Sequence, residues 1–273
     1  MLHLVCALRC EASPLIRYFE MDKTRHGELF SCYSNPEKGL TLTLSGVGKI
    51  NSAAAVLYTY TSFDCQPGDG WLNIGIAGHV SAPVGNIYLA HKVTDYSTGK
   101  TWYPQHVFTS KIETGNIVTL DKPSINYCEE IIDMEASGFC ELAGRVATFE
   151  LIHCCKIISD NRENPVQYPS AGLVEELVST HLESIESVIL KLQALSNEMA
   201  RQFPDYVGFR ECMQKWHFSS SQQHMLKKLL GRWQVVFPGR NPFESIGTAS
   251  NSREVIKILE QAIDHVPVQA EDL

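Results

Sequence analysis

A repeated unit constrains this chain more than any other feature: a short apolar run, a turn rich in Gly or Ser, then an amphipathic or Ala-rich stretch. Residues 3–8 form one such run, and Ser13-Pro14 then opens a helical pattern carrying Leu15, Ile16 and Phe19. Residues 40–44 alternate with period two, pass into Ser45-Gly46-Val47-Gly48-Lys49, and give way to an Ala-rich helix from Asn51. Residues 71–76 make a third run that ends in Ala77-Gly78-His79, and residues 85–90 a fourth. The strand-like Ile131-Ile132 precedes a helical stretch over 134–147, and the apolar run 151–158 stops at Ser159-Asp160-Asn161. Alternation of this kind predicts an α/β domain with a largely parallel or mixed sheet.

Sheets of that class place their chemistry where strands end and helices begin. The polar residues to weigh are therefore Glu11, the 45–49 turn, residues 73–78, Met134-Glu135 and Ser159-Asp160. Taken singly, each carboxylate reads as a helix cap or a solvated loop charge. Gly75 and Gly78 allow a ligand to approach backbone closely. The 45–49 turn lacks the Gly-Lys-Ser/Thr ending of a phosphate loop. His153, inside an apolar run, reads as a core histidine, and His106 as a surface-loop residue.

Composition narrows the function classes. With 273 residues the chain suits one large domain, or one domain with an appendage. A net charge of −8 speaks against generalised binding to nucleic acid or acidic lipid, and no apolar run reaches the ~18–20 residues of a membrane span. The first residues lack a basic n-region, and the 9 cysteines are odd in number and scattered, as in a reducing compartment. A soluble cytoplasmic protein is the expectation. Cys6 and Cys10 have no matching second pair, so no metal site is expected.

A long helical pattern over 171–199 uses Leu173, Leu177, Ile185, Val188, Leu192 and Leu195. Beyond it the character changes. Residues 201–240 hold seven Lys or Arg against Asp205 and Glu211, interleaved with Phe203, Tyr206, Phe209, Trp216, Phe218, Trp233 and Phe237. Helices are expected over 222–233, after the N-capping serines 219–221, and over 253–266. The domain division is thus 1–197 and a basic, aromatic-rich helical extension, 198–273. The plain expectation for the extension is a helical cap with aromatics packed on the main domain and solvated Lys and Arg. The functional alternative is a docking surface, over 201–240, for nucleic acid or an acidic partner.

Within residues 1–197 there follow, in order, Ala7-Leu8-Arg9-Cys10-Glu11-Ala12, Ser45-Gly46-Val47-Gly48-Lys49, Asn73-Ile74-Gly75-Ile76-Ala77-Gly78, Val84-Gly85-Asn86-Ile87, Asp133-Met134-Glu135-Ala136 and Ile158-Ser159-Asp160. Together these segments resemble the purine nucleoside phosphorylase and methylthioadenosine/S-adenosylhomocysteine nucleosidase superfamily. The resemblance implies a three-layer fold: a central twisted mixed sheet, partly closed into a barrel and flanked by helices. It implies Asp160 as donor of a proton to the purine and Glu11 as the carboxylate that activates water. Glu135 would bind the ribose hydroxyls, Met134 would pack on the sugar, and Val47 would line the 5′ side. Ala77, Gly78 and Ser159 complete the implied substrate-binding set.

The same resemblance implies no cofactor, a small-molecule purine nucleoside as substrate, and a homodimer. Arg9-Cys10-Glu11 suits activation of water better than the Gly-Asp-Pro phosphate loop of the phosphorylase branch, although Arg9 could grip a phosphate. The expected activity is N-ribosyl hydrolysis of an adenosine-type nucleoside, with or without a 5′ substituent. The alternatives are phosphorolysis, or a non-catalytic nucleoside-binding or adaptor protein that uses the basic extension. The chain departs from the family at Ile76, where a hydroxyl residue is usual, and at His79, where a second glycine is usual. Trp102, Tyr103, Phe108 and Tyr127 are the candidates to stack on the base. Residues 120–123, Leu-Asp-Lys-Pro, resemble the branch that holds futalosine hydrolase and hopanoid-linked phosphorylases.

Overall fold

The apolar run at the start forms strand β1 (Leu2–Cys6), buried along its whole length. Its side chains divide between two interiors, as a period of two requires: Leu2, Leu4 and Cys6 enter one core and Val5 the other. A computed structural model of the protein describes residues 1–24, 29–63, 65–66, 68–166, 169–200 and 206–265. The chain divides into two units, Met1–Ala200 and Arg201–Leu273.

In the first unit, β1 is followed by α1 (Arg9–Tyr18), β2 (Asp22–Lys23), β3 (Ser31–Asn35), β4 (Leu40–Leu44), α2 (Lys49–Ser62) and β5 (Gly70–His79). Next come β6 (Ile87–Asp95), β7 (Thr101–Trp102), β8 (Glu113–Thr119), β9 (Ile131–Asp133), α3 (Ala136–Ala143) and β10 (Ile152–Asn161). Helices α4 (Ala171–Thr180) and α5 (Leu182–Ala200) complete it. β1 lies between parallel β4 and β5, and β3 and β2 extend that edge antiparallel. β10 pairs parallel to β5 and antiparallel to β6; β6 continues through β8 and β9 back to β5. Strands β5, β10, β6, β8 and β9 thereby close a five-membered ring at one side of the mixed sheet.

Helices cover both faces. Ala12 and Leu15 of α1, Val178 of α4 and Ile185, Val188 and Leu192 of α5 fill one core; Ala55 and Val56 of α2 and Phe139 and Cys140 of α3 fill the other. The result is the three-layer α/β arrangement with a partly closed mixed sheet that the resemblance implied.

Several local expectations shift. α1 begins at Arg9, four residues before Ser13, because the Glu11 carboxylate accepts the Leu8 N–H at 2.7 Å and caps the first turn; Pro14 lies inside the helix. β5 and β10 run on to His79 and Asn161, so Ala77, Gly78, Ser159 and Asp160 belong to strands and not to the loops after them. A register shift between Ile158 and Asp160 bends β10 there. The helical pattern of 171–199 is two helices broken at His181, whose ring is 2.5 Å from the Gly85 carbonyl oxygen. β3 carries Ser and Asn at half-buried positions, and β8 carries Glu113, Thr114 and Asn116 exposed and Thr119 buried, which hides their period from a purely apolar reading.

The second unit contains α6 (Phe209–Lys215), α7 (Ser220–Val236), α8 (Phe243–Ile246) and α9 (Ser252–Asp264). Ser219 caps α7 by accepting from Gln222 N. Trp216, Phe218 and Trp233 are buried with Leu226, Leu230, Val255 and Leu259, so the aromatics build the interior of this unit itself. Lys215, Lys227 and Arg240 lie over the rings of Trp216, Phe209 and Phe237. Arg201, Phe203, Asp205 and Val266 lie outside the described residues. No helix among the described residues is long and apolar enough to cross a membrane.

Candidate active site

The turns and strand ends on one side of the sheet enclose a cavity of about 410 Å³. Glu11, Val47, Ala77, Gly78, Met134, Glu135, Ser159 and Asp160 all line it. Its remaining wall is largely apolar and includes Leu8, Ile76, Val166 and Pro169, with Lys122 the one cation among the lining residues.

Each carboxylate is set by a different element. Glu11 sits in the first turn of α1 and is 2% exposed. Its Oε2 accepts from Leu8 N, and its Oε1 accepts from Ile76 N at 2.9 Å. Burial pushes its carboxyl up, while those two N–H donors and the ammonium of Lys156 oppose the rise. Glu135 stands at the start of α3, and its Oε1 accepts from Gly48 N at 2.8 Å, which joins the 45–49 turn to the β9–α3 junction. Burial, countered by Lys156 and reinforced by Asp133, raises Glu135 to about 7. Asp160, near the end of β10, accepts from Ser159 Oγ at 2.5 Å on Oδ1 and from Tyr127 Oη at 2.6 Å on Oδ2. The two glycines singled out in the sequence leave room for these groups. A Cβ on Gly75 would stand 2.9 Å from Glu11 Oε1, and one on Gly78 would stand 3.1 Å from Asp160 Oδ2.

Sequence reasoning missed the charge behind the cavity. Lys156 is buried in the middle of β10, with its Nζ 2.9 Å from Asp133 Oδ2. Burial works against its charge, but Asp133 and Glu135 outweigh that and hold it above the ordinary lysine range. Asp133 also accepts from Thr119 Oγ1 and from the N–H groups of Glu135 and Ala136, which fixes the entry into α3. The available signal was a lysine in an otherwise apolar strand, since a fully buried lysine needs carboxylates around it.

Other candidates stand elsewhere. Trp102, Tyr103, Phe108 and Tyr127 do not line the cavity, and no aromatic residue does among those described. Lys49 is engaged by Asp95 at 2.8 Å and Asp121 at 2.7 Å, so the 45–49 turn does not present it as a phosphate ligand. The Arg9 guanidinium stacks on the Tyr33 ring and donates to its hydroxyl, and Arg9 is not among the cavity-lining residues. His153 is buried, with its Nε2 3.2 Å from the Glu150 carbonyl oxygen and its Nδ1 without a hydrogen-bond partner among the described residues, and it is lowered to about 4 by burial and the neighbouring His106. Of potential metal-ligating groups, His3, Cys65 and Asp69 lie together among the described residues, away from the cavity; Asp69 accepts from the Met1 ammonium at 2.8 Å.

Comparison with solved structures decides the fold. The Neisseria meningitidis 5′-methylthioadenosine/S-adenosylhomocysteine nucleosidase in complex with methylthio-immucillin-A superposes with a TM-score of 0.52 at 17% identity, over 66% of this chain and 98% of that one. The chain has the nucleosidase fold. The Campylobacter jejuni nucleosidase of the same name gives a TM-score of 0.56 at 15% identity, over 70% of this chain and 97% of that one. Futalosine hydrolase of Helicobacter pylori gives 0.53 at 16%, also over 70% and 97%. No family model matches the sequence, and no curated protein does. The chain is thus a highly divergent carrier of the nucleosidase fold.

Proposed function

We propose that the protein is a purine-nucleoside N-ribosyl hydrolase acting on adenosine-type nucleosides, with or without a 5′ substituent. One observation carries this reading: Glu11, Glu135 and Asp160, delivered by three separate elements, meet at a single cavity of about 410 Å³, a size that suits a nucleoside. Cleavage of the C1′–N bond passes through a cation-like sugar and leaves an electron pair on the purine. Asp160 gives its proton to a purine ring nitrogen as that bond breaks, a general-acid contribution of about 10²–10⁴ in rate. Glu135 accepts from the ribose hydroxyls and faces the developing positive charge. Glu11, raised by burial, takes a proton from water while the water oxygen bonds to C1′. The products are free base and free sugar, and solvent returns the Glu11 proton to Asp160.

Hydrolysis is favoured over phosphorolysis because no arginine is among the cavity-lining residues and Arg9 is committed to Tyr33. The structural neighbours named above, two nucleosidases and a hydrolase, support the same choice. The test is chromatographic release of free base from methylthioadenosine, S-adenosylhomocysteine, adenosine, inosine and a bulky 5′-substituted adenosine, with and without phosphate. Release without phosphate is expected. Release only with phosphate, and with a sugar 1-phosphate as product, would overturn the hydrolase. Saturable nucleoside binding without turnover would leave a binding protein.

A further inference from the structure

The connector between β8 and β9, residues 120–130, is tied to the end of β5 by three neighbouring residues. The His79 Nδ1 accepts from Ser81 N at 3.1 Å and from Ala82 N at 2.8 Å, so its Nε2 carries the proton and donates to the Glu129 carbonyl at 2.9 Å. Val80 N donates to the Cys128 carbonyl at 3.1 Å. The ring of Tyr127 then lies against Gly78: a Cβ there would stand 3.0 Å from Tyr127 Cε1. The His79 imidazole thus bonds to both sides of the junction through its two ring nitrogens.

This tether sets the phenol of Tyr127 on one oxygen of Asp160, while Ser159 holds the other. Tyr127 itself is half-buried and not a lining residue of the cavity. Burial and the neighbouring carboxylate push the phenol up to about 12, so it remains a proton donor throughout any working pH. Two hydroxyl donors fix the plane of the Asp160 carboxyl before substrate arrives, which removes a reorganisation step from proton transfer. The bond from Tyr127 is also worth most once the carboxyl has lost its proton, because a hydrogen bond to an ionised acceptor is the stronger one.

We propose that Tyr127 is a positioning residue for Asp160, holding the carboxyl in its donating orientation and stabilising the carboxylate left when the proton passes to the departing base. The proposal rests on the hydrolase reading given above. It predicts an effect confined to the proton-transfer part of the reaction. A purine needs that proton to leave; the p-nitrophenolate of an aryl riboside leaves without one.

The experiment compares wild type, Tyr127→Phe and Asp160→Asn on a purine nucleoside and on p-nitrophenyl β-D-ribofuranoside. For Tyr127→Phe we expect kcat on the nucleoside to fall by about 10- to 100-fold with KM within about threefold, and the rate on the aryl riboside to stay within about threefold. Asp160→Asn should show the same pattern more strongly. Equal losses of Tyr127→Phe on both substrates would overturn the proposal in favour of a structural role, and so would an unchanged kcat on the nucleoside. A wild type that cleaves neither substrate would sink the hydrolase reading, and the positioning role with it. An active wild type with an indifferent Tyr127→Phe would sink only the positioning role.

Discussion

At the scale of single residues, the site is a balance of buried charge. Glu11, Asp133 and Glu135 surround one buried ammonium, that of Lys156. Part of the cost falls on Glu135, raised to about 7 from an ordinary 4.5. Between those values the folded chain holds a proton that the unfolded chain has released, so stability falls as pH rises through that window. Glu135→Gln removes the loss while its amide oxygen can still accept the Gly48 N–H. The variant should gain on the order of 1–3 kcal/mol over wild type at pH 8, converge with it near pH 4, and lose base release. Thermal melting at the two pH values checks the first part, and an unchanged melting temperature at pH 8 would contradict it. Glu11, Glu135 and Asp160 drew attention in the sequence because each stands near a strand end, and the resemblance, not position alone, supplied the roles proposed for them. Lys156 and the bond from Tyr127 to Asp160 were not, since each depends on partners 23 to 33 positions away whose approach only the closed sheet creates.

At the scale of elements, two helices cross where the site needs them fixed. Gly138 of α3 lies directly on α2, and a Cβ there would stand 1.8 Å from the Lys49 carbonyl oxygen. No flexible side chain can yield in that contact, because backbone meets backbone. The Glu135–Gly48 hydrogen bond lies at the start of the same two helices. Gly138→Ala should therefore destabilise the protein by about 2–3 kcal/mol through overpacking and reduce turnover together with stability. Denaturant titration beside an activity assay reads both, and a neutral substitution would show that the crossing is looser than described. The strands and helices with strong periods were readable from sequence, β1, β4 and α2 among them. The extents of β5 and β10 were not, because polar side chains that face a cavity look like the start of a loop.

At the scale of the whole molecule, every cavity-lining residue lies between Ala7 and Ala171, inside the first unit. We propose that this unit carries the activity by itself. A chain ended at residue 200 is expected to fold and to keep base release within about threefold of full length, and a truncated chain that aggregates or loses turnover would refute the division of labour. The second unit has an aromatic interior of its own, with Trp216, Phe218 and Trp233 buried and so withheld from stacking on nucleobases. Binding of nucleic acid through its lysines and arginines would be electrostatic, and any such binding should weaken steeply at high salt.

The closed ring of five strands also carries a consequence in time. β10 completes it by pairing with β5 some eighty positions earlier, Cys154 opposite Asn73, and Asp160, the acid proposed above, arrives on that strand. Long-range closure of this kind is entropically costly and slow to nucleate. In refolding from denaturant, catalytic competence should therefore be the last signal to return, after helical circular dichroism has already recovered. During synthesis, a chain still short of residue 161 would carry Glu11 and Glu135 with no formed pocket, so the hydrolysis proposed above could begin only once β10 is in place.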